Sequence, residues 1–289
     1  IGLPKGSLQE QTLALFQRAG WNIRFKSSRS YFPNIDDPEL NGLLFRAQEL
    51  GRYTMNNTVD CAITGYDWIV ENGASDHVVE IGELNYSKVN DGNVRWVLAV
   101  PQDSKIQFVK DLEGGTISTE LMETTKKYFK DNGVRVNVEF SWGATEVKAS
   151  GLLVDAIVDV TETGESLRAN NLRILDTVLT SSTRFIANKD AWNDPKKRAK
   201  MEEIYMLLNG ALQAKKMVGL KMNAPKNILD KVLKVLPATT SPTISPLFDD
   251  NYVALEVVVD DNTERHWIPE LKRLGCSGIL TYPINLIVF

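Results

Sequence analysis

The chain has 289 residues, 43% of them hydrophobic and 24% charged, with a formal net charge of −4. That length suits two or three compact domains, and the acidic balance disfavours a nucleic-acid partner, so an anionic ligand needs a local basic site. No apolar run approaches the roughly 18 residues that a membrane-spanning helix requires and no signal-peptide pattern is visible, so no membrane partner is expected.

In chain order, IGLPKGSLQEQTLALFQRAGW reads as a short strand, a turn and an amphipathic helix with Leu8, Leu13, Phe16 and Ala19 at helical spacing. Ser7 and Glu10 have the spacing of a capping box, and Gly20 ends the helix. GLLFRAQELGRYTMNN reads as a strand passing into a helix, and VDCAITGYDWIVENG as a buried strand with a helix starting after Gly65. NVRWVLAVP, the end of FVKDLEGGTIST, and VRVNVEF are further strands; ELMETTKKYFKDNG is a helix closed by Gly133. KASGLLVDAIVDV runs from a helix into a strand, STRFIANKDAW gives one more strand, and Lys196 to Lys216 reads as one long helix. Alternating strands and helices predict an α/β fold with mostly parallel sheets, in which ligands sit at the carboxyl ends of strands. After residues 214 to 218 the order becomes β-α-β-β-α-β, the pattern of a ferredoxin-like module.

Cys61 and Cys276 lie in apolar surroundings and read as buried free thiols. With His77 and His266 far apart in sequence and no cysteine cluster, a zinc site is not expected.

DAIVDVTETGESL is the most specific stretch. Strand alternation puts Asp155, Ile157 and Asp159 on one side and Ala156, Val158 and Val160 on the other. An acid near the carboxyl end of a buried strand is costly unless it binds something. Thr161, Thr163 and Ser166 offer hydroxyls, and Gly164 allows close approach of a ligand; the alternative is a turn whose acids only cap the next helix. Lys5 and Gly6 precede a helix start, where an anion is favoured, although an exposed turn lysine would look the same. Asp67 stands in the first turn of a helix, either at a site or simply complementing the dipole. Arg29, Arg46 and Arg95 come from separate segments, and Arg95 interrupts an apolar strand. Trp96, Trp142 and Trp192 read as core or rim residues.

DAIVDVTETGESLRANNL resembles the phosphoribosyl-pyrophosphate loop of the ATP phosphoribosyltransferases, which begin histidine biosynthesis. LPKGSLQEQTLALFQRAG is similar to the amino-terminal helix of that family, VDCAITGYDWIVENG to its V-D-x-x-x-x-G-x-[DE] segment, and SPTISPL and GCSGILTYPI to the carboxyl-terminal module of its long form. The resemblance implies two periplasmic-binding-protein-like lobes, residues 1–87 with 174–213 and residues 88–173, followed by an ACT-like regulatory domain over 214–289. It implies a cytosolic homo-oligomer, a hexamer or dimer, inhibited by histidine, with Mg²⁺ carried largely on the substrates ATP and phosphoribosyl pyrophosphate. Asp159, Lys5 and Arg95 become the expected catalytic residues. Asp159, Thr161, Glu162, Thr163, Gly164, Glu165 and Ser166 are expected around phosphoribosyl pyrophosphate, and Lys5, Arg46, Asp67 and Arg95 around ATP. Asn223, Thr243 and Gly278 match positions around the regulatory histidine.

The commonest family loop has small residues where Glu162 and Glu165 stand. Both glutamates are therefore expected to point outward, leaving backbone N–H groups and the three hydroxyls to hold the phosphate. The rival readings are a two-lobed solute-binding protein and a catalytically inactive amino-acid sensor.

Overall fold

The computed structural model describes residues 1–27, 29–86, 93–236, 241–261 and 264–289. Apolar runs bounded by glycine and asparagine fold as short strands whose carboxyl ends pass directly into helices. The first half gives β1 (Gly2–Lys5), α1 (Gln9–Arg18), the small hairpin of β2 (Ile23–Arg24) and β3 (Asn34–Ile35), β4 (Leu43–Arg46), α2 (Ala47–Met55), β5 (Cys61–Gly65), α3 (Tyr66–Glu71) and β6 (Val78–Glu83). The expected capping box at Ser7 does not start α1. The helix begins at Gln9, whose N–H donates to the carbonyl of Gly6 at 3.1 Å. On α1 the buried residues are Thr12, Leu15 and Phe16, with Ala19 buried just past its end, and Leu13 is only half-buried.

The chain then builds a second sheet from β7 (Val94–Pro101), β8 (Thr116–Thr119), α4 (Met122–Asp131), β9 (Asn137–Phe140), α5 (Thr145–Ser150), β10 (Ala156–Thr161), α6 (Glu165–Ala169) and β11 (Leu172–Ser181). It returns through β12 (Thr183–Asn188), α7 (Lys189–Asn193) and α8 (Pro195–Ala214). Strand order is β4-β1-β5-β12-β6 in the first sheet and β11-β7-β10-β8-β9 in the second. The chain thus crosses between the sheets twice, after β6 and after β11.

The sheets are mixed rather than mostly parallel. β1, β4 and β5 are parallel, as are β8, β9 and β10, but β12 lies antiparallel to β5 and β6, and β7 antiparallel to β10 and β11. The crossings explain this, because strands that arrive from the other sheet enter from the opposite end. β6 and β11 were not legible in sequence: polar residues break their apolar runs, and β11 carries register shifts between Ile174 and Asp176 and between Thr177 and Leu179. The lobe boundary expected at 173/174 falls inside β11, which pairs with β7 as far as Ser181; the one expected at 87/88 lies outside the described residues.

Each face of the second sheet is packed. Trp96, Leu98, Ile117, Phe129, Ala156 and Val158 fill one side, and Val97, Ala99, Val154, Ile157 and Leu167 the other. The expected alternation in β10 is therefore realised.

These elements, Ile1–Ala14 with Trp21–Tyr205, form one compact unit; Leu15–Gly20 with Met206–Phe289 form the other. In the latter, β13 (Met217–Pro225), α9 (Leu229–Val235), β14 (Thr243–Pro246), β15 (Tyr252–Asp260), α10 (Glu264–Arg273) and β16 (Ser277–Pro283) follow the expected β-α-β-β-α-β order. Its antiparallel sheet runs β14-β15-β13-β16, the ferredoxin-like arrangement. Leu220, Met222, Val257, Val259, Trp267 and Leu271 make its core. Leu271 is fully buried there, so Leu271→Ala should destabilise the protein by about 2–5 kcal/mol, read from the midpoint of chemical denaturation.

Candidate active site

Three parallel strands of the first sheet end along one edge. β1 delivers Lys5 there and β4 delivers Arg46, paired in register, so two cations stand side by side. β4 runs straight into α2, with Arg46 in extended conformation as its first flanking residue and no side-chain cap. The positive end of the helix dipole therefore faces the same place. The Lys5 ammonium lies 4.2 Å from the centre of the Tyr31 ring. From the second sheet, β10 brings Asp159 and β8 is followed by Glu120. Between the two sheets lies a cleft of about 930 Å³, lined by Lys5, Arg46, Asp67, Trp68, Trp96, Glu120, Asp159 and Glu162, among others. Ala47, Gln48 and Glu49, the first turn of α2, line it as well.

Lys5 and Arg46 stand on the first-sheet wall beside Glu49 and the buried Asp67, whereas the charged lining residues of the second-sheet wall, Glu120, Asp159 and Glu162, are all carboxylates. Burial pushes the Asp159 carboxyl up to about 6, reinforced by Glu146 and Glu120 and opposed by its hydrogen bond from the Val160 N–H. Burial also raises Glu120, against a hydrogen bond from Gln48 and the charge of Arg46. A cation arriving beside these two carboxylates would favour their ionised forms.

The loop differs from its expected form. Thr161 accepts the Gly164 N–H at 2.7 Å and Thr163 accepts the Glu165 N–H at 3.3 Å, so both hydroxyls already hold loop amides. Gly164 has φ +78°, a conformation that glycine adopts without strain. Arg168 donates to the Thr163 carbonyl at 3.2 Å. Glu165 and Ser166 are exposed. Glu162 does not point outward: it lines the cleft, and its Oε2 is buried without a hydrogen-bond partner.

Arg95 does not line the cleft. Alternation along β7 gives the cleft Val94 and Trp96, and Arg95 lies across the ladder from Thr161, at the foot of the loop. Arg29 is exposed and also away from the cleft lining, so the three arginines do not converge. Asp67 is buried, at 6% exposure, and burial raises its carboxyl. Its oxygens accept from the Trp68 N–H at 3.0 Å and the Trp96 indole N–H at 2.7 Å. In the second unit Asn223 pairs with Ser277, next to Gly278, whereas Thr243 sits on β14, separated from β13 by β15. Asn223 and Gly278 thus meet and Thr243 stands apart. Sequence reasoning passed over Glu120, although an acid directly after the strand TIST occupies a carboxyl end of the kind that builds sites. Trp96, expected as a core or rim residue, is indeed in the core of the second sheet, and it adds a hydrogen bond to Asp67.

A family model described as ATP phosphoribosyltransferase matches residues 46–210, and one described as HisG, C-terminal domain, matches residues 214–286. The ATP phosphoribosyltransferase of Prosthecochloris aestuarii (strain DSM 271 / SK 413) is 56% identical over 288 residues, covering 100% of this chain and 97% of that one. The chain belongs to the ATP phosphoribosyltransferase family. The ATP phosphoribosyltransferase of Chlorobaculum parvum (strain DSM 263 / NCIMB 8327) matches it equally, at 56% identity over 100% of this chain and 97% of its own. Among solved structures, the ATP phosphoribosyl transferase (HisG:HisZ) complex from Thermotoga maritima superposes with a TM-score of 0.61 at 22% identity, covering 72% of this chain and 97% of that chain. That likeness shows the shared fold. No helix among the described residues is long and apolar enough to cross a membrane.

ATP phosphoribosyltransferases are pentosyltransferases that use a metal ion. Among the described residues no group of three or more His, Cys, Asp or Glu could enclose one. The donors present, Asp159 and the orphaned Glu162 oxygen, fit a hard cation that takes most of its ligands from substrate phosphates.

The raised Asp159 carboxyl makes a stability prediction. Its folded value lies above the ordinary 3.8, so its contribution is fully present below about pH 4 and is lost as pH rises through about 6. Thermal midpoints of Asp159→Asn and the parent protein, compared without ligands, should diverge in favour of the variant between pH 4 and 6 and then run parallel. A constant difference would refute the assignment.

Proposed function

We propose that this chain joins ATP to phosphoribosyl pyrophosphate, the first step of histidine biosynthesis. Adenine N1 attacks C1 of the ribose, the C1–O bond to pyrophosphate breaks with inversion, and its electron pair leaves with pyrophosphate. The observation that carries this reading is the cleft itself: Lys5 and Arg46, beside the start of α2, face the carboxylates Glu120, Asp159 and Glu162 next to a helix-start loop. Two anionic substrates joined through a cation match that pattern, and membership of the family supports it along the whole chain.

Lys5, Arg46 and the first-turn amides of α2 hold the phosphates of ATP. The loop from Thr161 to Ser166 holds the ribose 5-phosphate, with Thr161 and Thr163 fixing its shape and Ser166 and Arg95 available to the phosphate. Asp159 faces the ribose hydroxyls, and Glu162 the metal-bearing pyrophosphate. Adenine N1 attacks with its lone pair and carries no proton to remove, so these residues supply alignment and charge stabilisation rather than a strong base. Mg²⁺, when bound with pyrophosphate, would neutralise charge on the leaving group. Residues 214–289 form a regulatory domain that takes histidine near Asn223 and Gly278, within a cytoplasmic homo-oligomer. Thr243 then serves that site only from another copy of the chain.

An absorbance assay of phosphoribosyl-ATP formation, with and without histidine, tests the proposal. Product is expected and histidine should suppress it; no product overturns the enzymatic reading, and indifference to histidine overturns only the regulatory one. Glu162→Gln should raise the KM for phosphoribosyl pyrophosphate by about tenfold, as loss of a charge-assisted contact does. Glu165→Gln should leave it within about twofold. The reverse ranking would remove Glu162 from the site.

A further inference from the structure

Helix α3 belongs to the first sheet, where it follows β5, yet both of its ends are tied to the second. At its first turn the Asp67 carboxylate receives the Trp96 indole N–H from β7 at 2.7 Å, and the Asp67 N–H donates to Ser181 Oγ at the end of β11 at 3.0 Å. At its last turn the Glu71 carboxylate takes the first-turn amides of α4. Glu71 Oε1 accepts from Glu123 N at 3.0 Å, and Oε2 accepts from Thr124 N at 2.9 Å and from the Thr124 hydroxyl at 2.8 Å. Asp67 and Glu71 are four residues apart and so share one helix face. Between them Trp68 packs on the apolar core of the second sheet and meets Trp96 edge-on, with ring centroids 6.0 Å apart.

The local sequence is fitted to this arrangement. Asp67 can turn its carboxylate back over the β5–α3 junction only because residue 65 is glycine: a Cβ there would lie 2.0 Å from Asp67 Oδ1. A buried carboxylate costs several kcal/mol unless donors meet it, and here both oxygens are met by N–H groups. Glu71 supplies α4 with the side-chain acceptor its own flanking residue, Leu121, lacks.

We propose that Asp67 and Glu71 are positioning residues that bolt α3 to the second sheet and thereby fix the angle at which the two cleft walls face each other. The proposal rests on the function given above, because it matters only where one wall holds ATP and the other phosphoribosyl pyrophosphate. The substrates then meet in line only at the angle α3 sets, while each wall binds its own substrate regardless. Asp67 does not act as a nucleotide ligand.

The test is steady-state kinetics of Asp67→Asn, Glu71→Gln, Trp96→Phe and the double variant Asp67→Asn/Trp96→Phe beside the parent protein. Asparagine keeps the size of Asp67 but offers one acceptor where two are needed. Each single variant should lower kcat by about 10- to 100-fold, the cost of a misalignment near 1 Å. The KM for each substrate should stay within about twofold, and the double variant should be no slower than Asp67→Asn. A rise in the KM for ATP with kcat retained would make Asp67 a ligand and overturn the proposal. So would a lowered melting temperature with both constants unchanged, or additive losses in the double variant. If the parent protein forms no product, the function fails first. Small-angle scattering then decides the positioning role alone: Asp67→Asn/Glu71→Gln should enlarge the radius of gyration, and an unchanged curve would refute it.

Discussion

The carboxylate of Asp67 is buried at the junction of two sheets, and the catalytic half of the molecule is arranged around keeping it satisfied. A charge in that position is tolerated because the Trp68 amide and the Trp96 indole point at its two oxygens, while its own amide is taken by Ser181. Trp68 is the next residue on the same helix, whereas Trp96 and Ser181 come from β7 and β11, remote in sequence. The glycine at 65 and the tryptophan at 96 are explained by that carboxylate, and the serine at 181 by the backbone amide of the same residue. The same helix ties Glu71 to the first turn of α4 and packs Trp68 on the core of the second sheet, so α3 joins the two walls at several points.

Those crossings also account for the mixed sheets. A strand entering a sheet from its neighbour arrives at the end where the resident parallel strands finish, and so runs against them. The consequence is functional. The carboxyl ends of β1, β4 and β5 on one side, and of β8 and β10 on the other, turn toward a common cleft. Helix dipoles and basic side chains collect on one wall, where Arg46 and α2 begin. The other wall carries no basic residue among those that line the cleft, and there burial and mutual repulsion raise Asp159. The opposed charges do not collapse onto each other as ion pairs, which leaves the field available to polyanionic ligands and their counter-ion.

The loop after β10 shows how a turn can have the expected type and different chemistry. Gly164 and the following helix start stand where the spacing put them, because glycine at positive φ and a hydroxyl-rich turn are local requirements. The hydroxyls of Thr161 and Thr163 satisfy the turn's own amides. Those hydroxyls are thus engaged within the turn itself, and Glu162 lies against the cleft.

The strands around DAIVDVTETGES, the helix after Gly65, the β-α-β-β-α-β order of the final unit and the placement of Lys5, Arg46 and Asp159 at strand ends were all determined by the sequence. Each depends on short-range periodicity or turn chemistry, which neighbouring residues settle among themselves. Only the tertiary structure decided that β6 and β11 are strands, since their polar residues and bulges are stabilised by partners in the sheet. It alone moved Arg95 to the foot of the loop while facing Trp96 to the cleft, added Glu120 to the acidic wall, and gave Asp67 and Glu71 their partners. Those outcomes turn on which residues meet across long stretches of chain, and one-dimensional spacing does not encode how two sheets face each other.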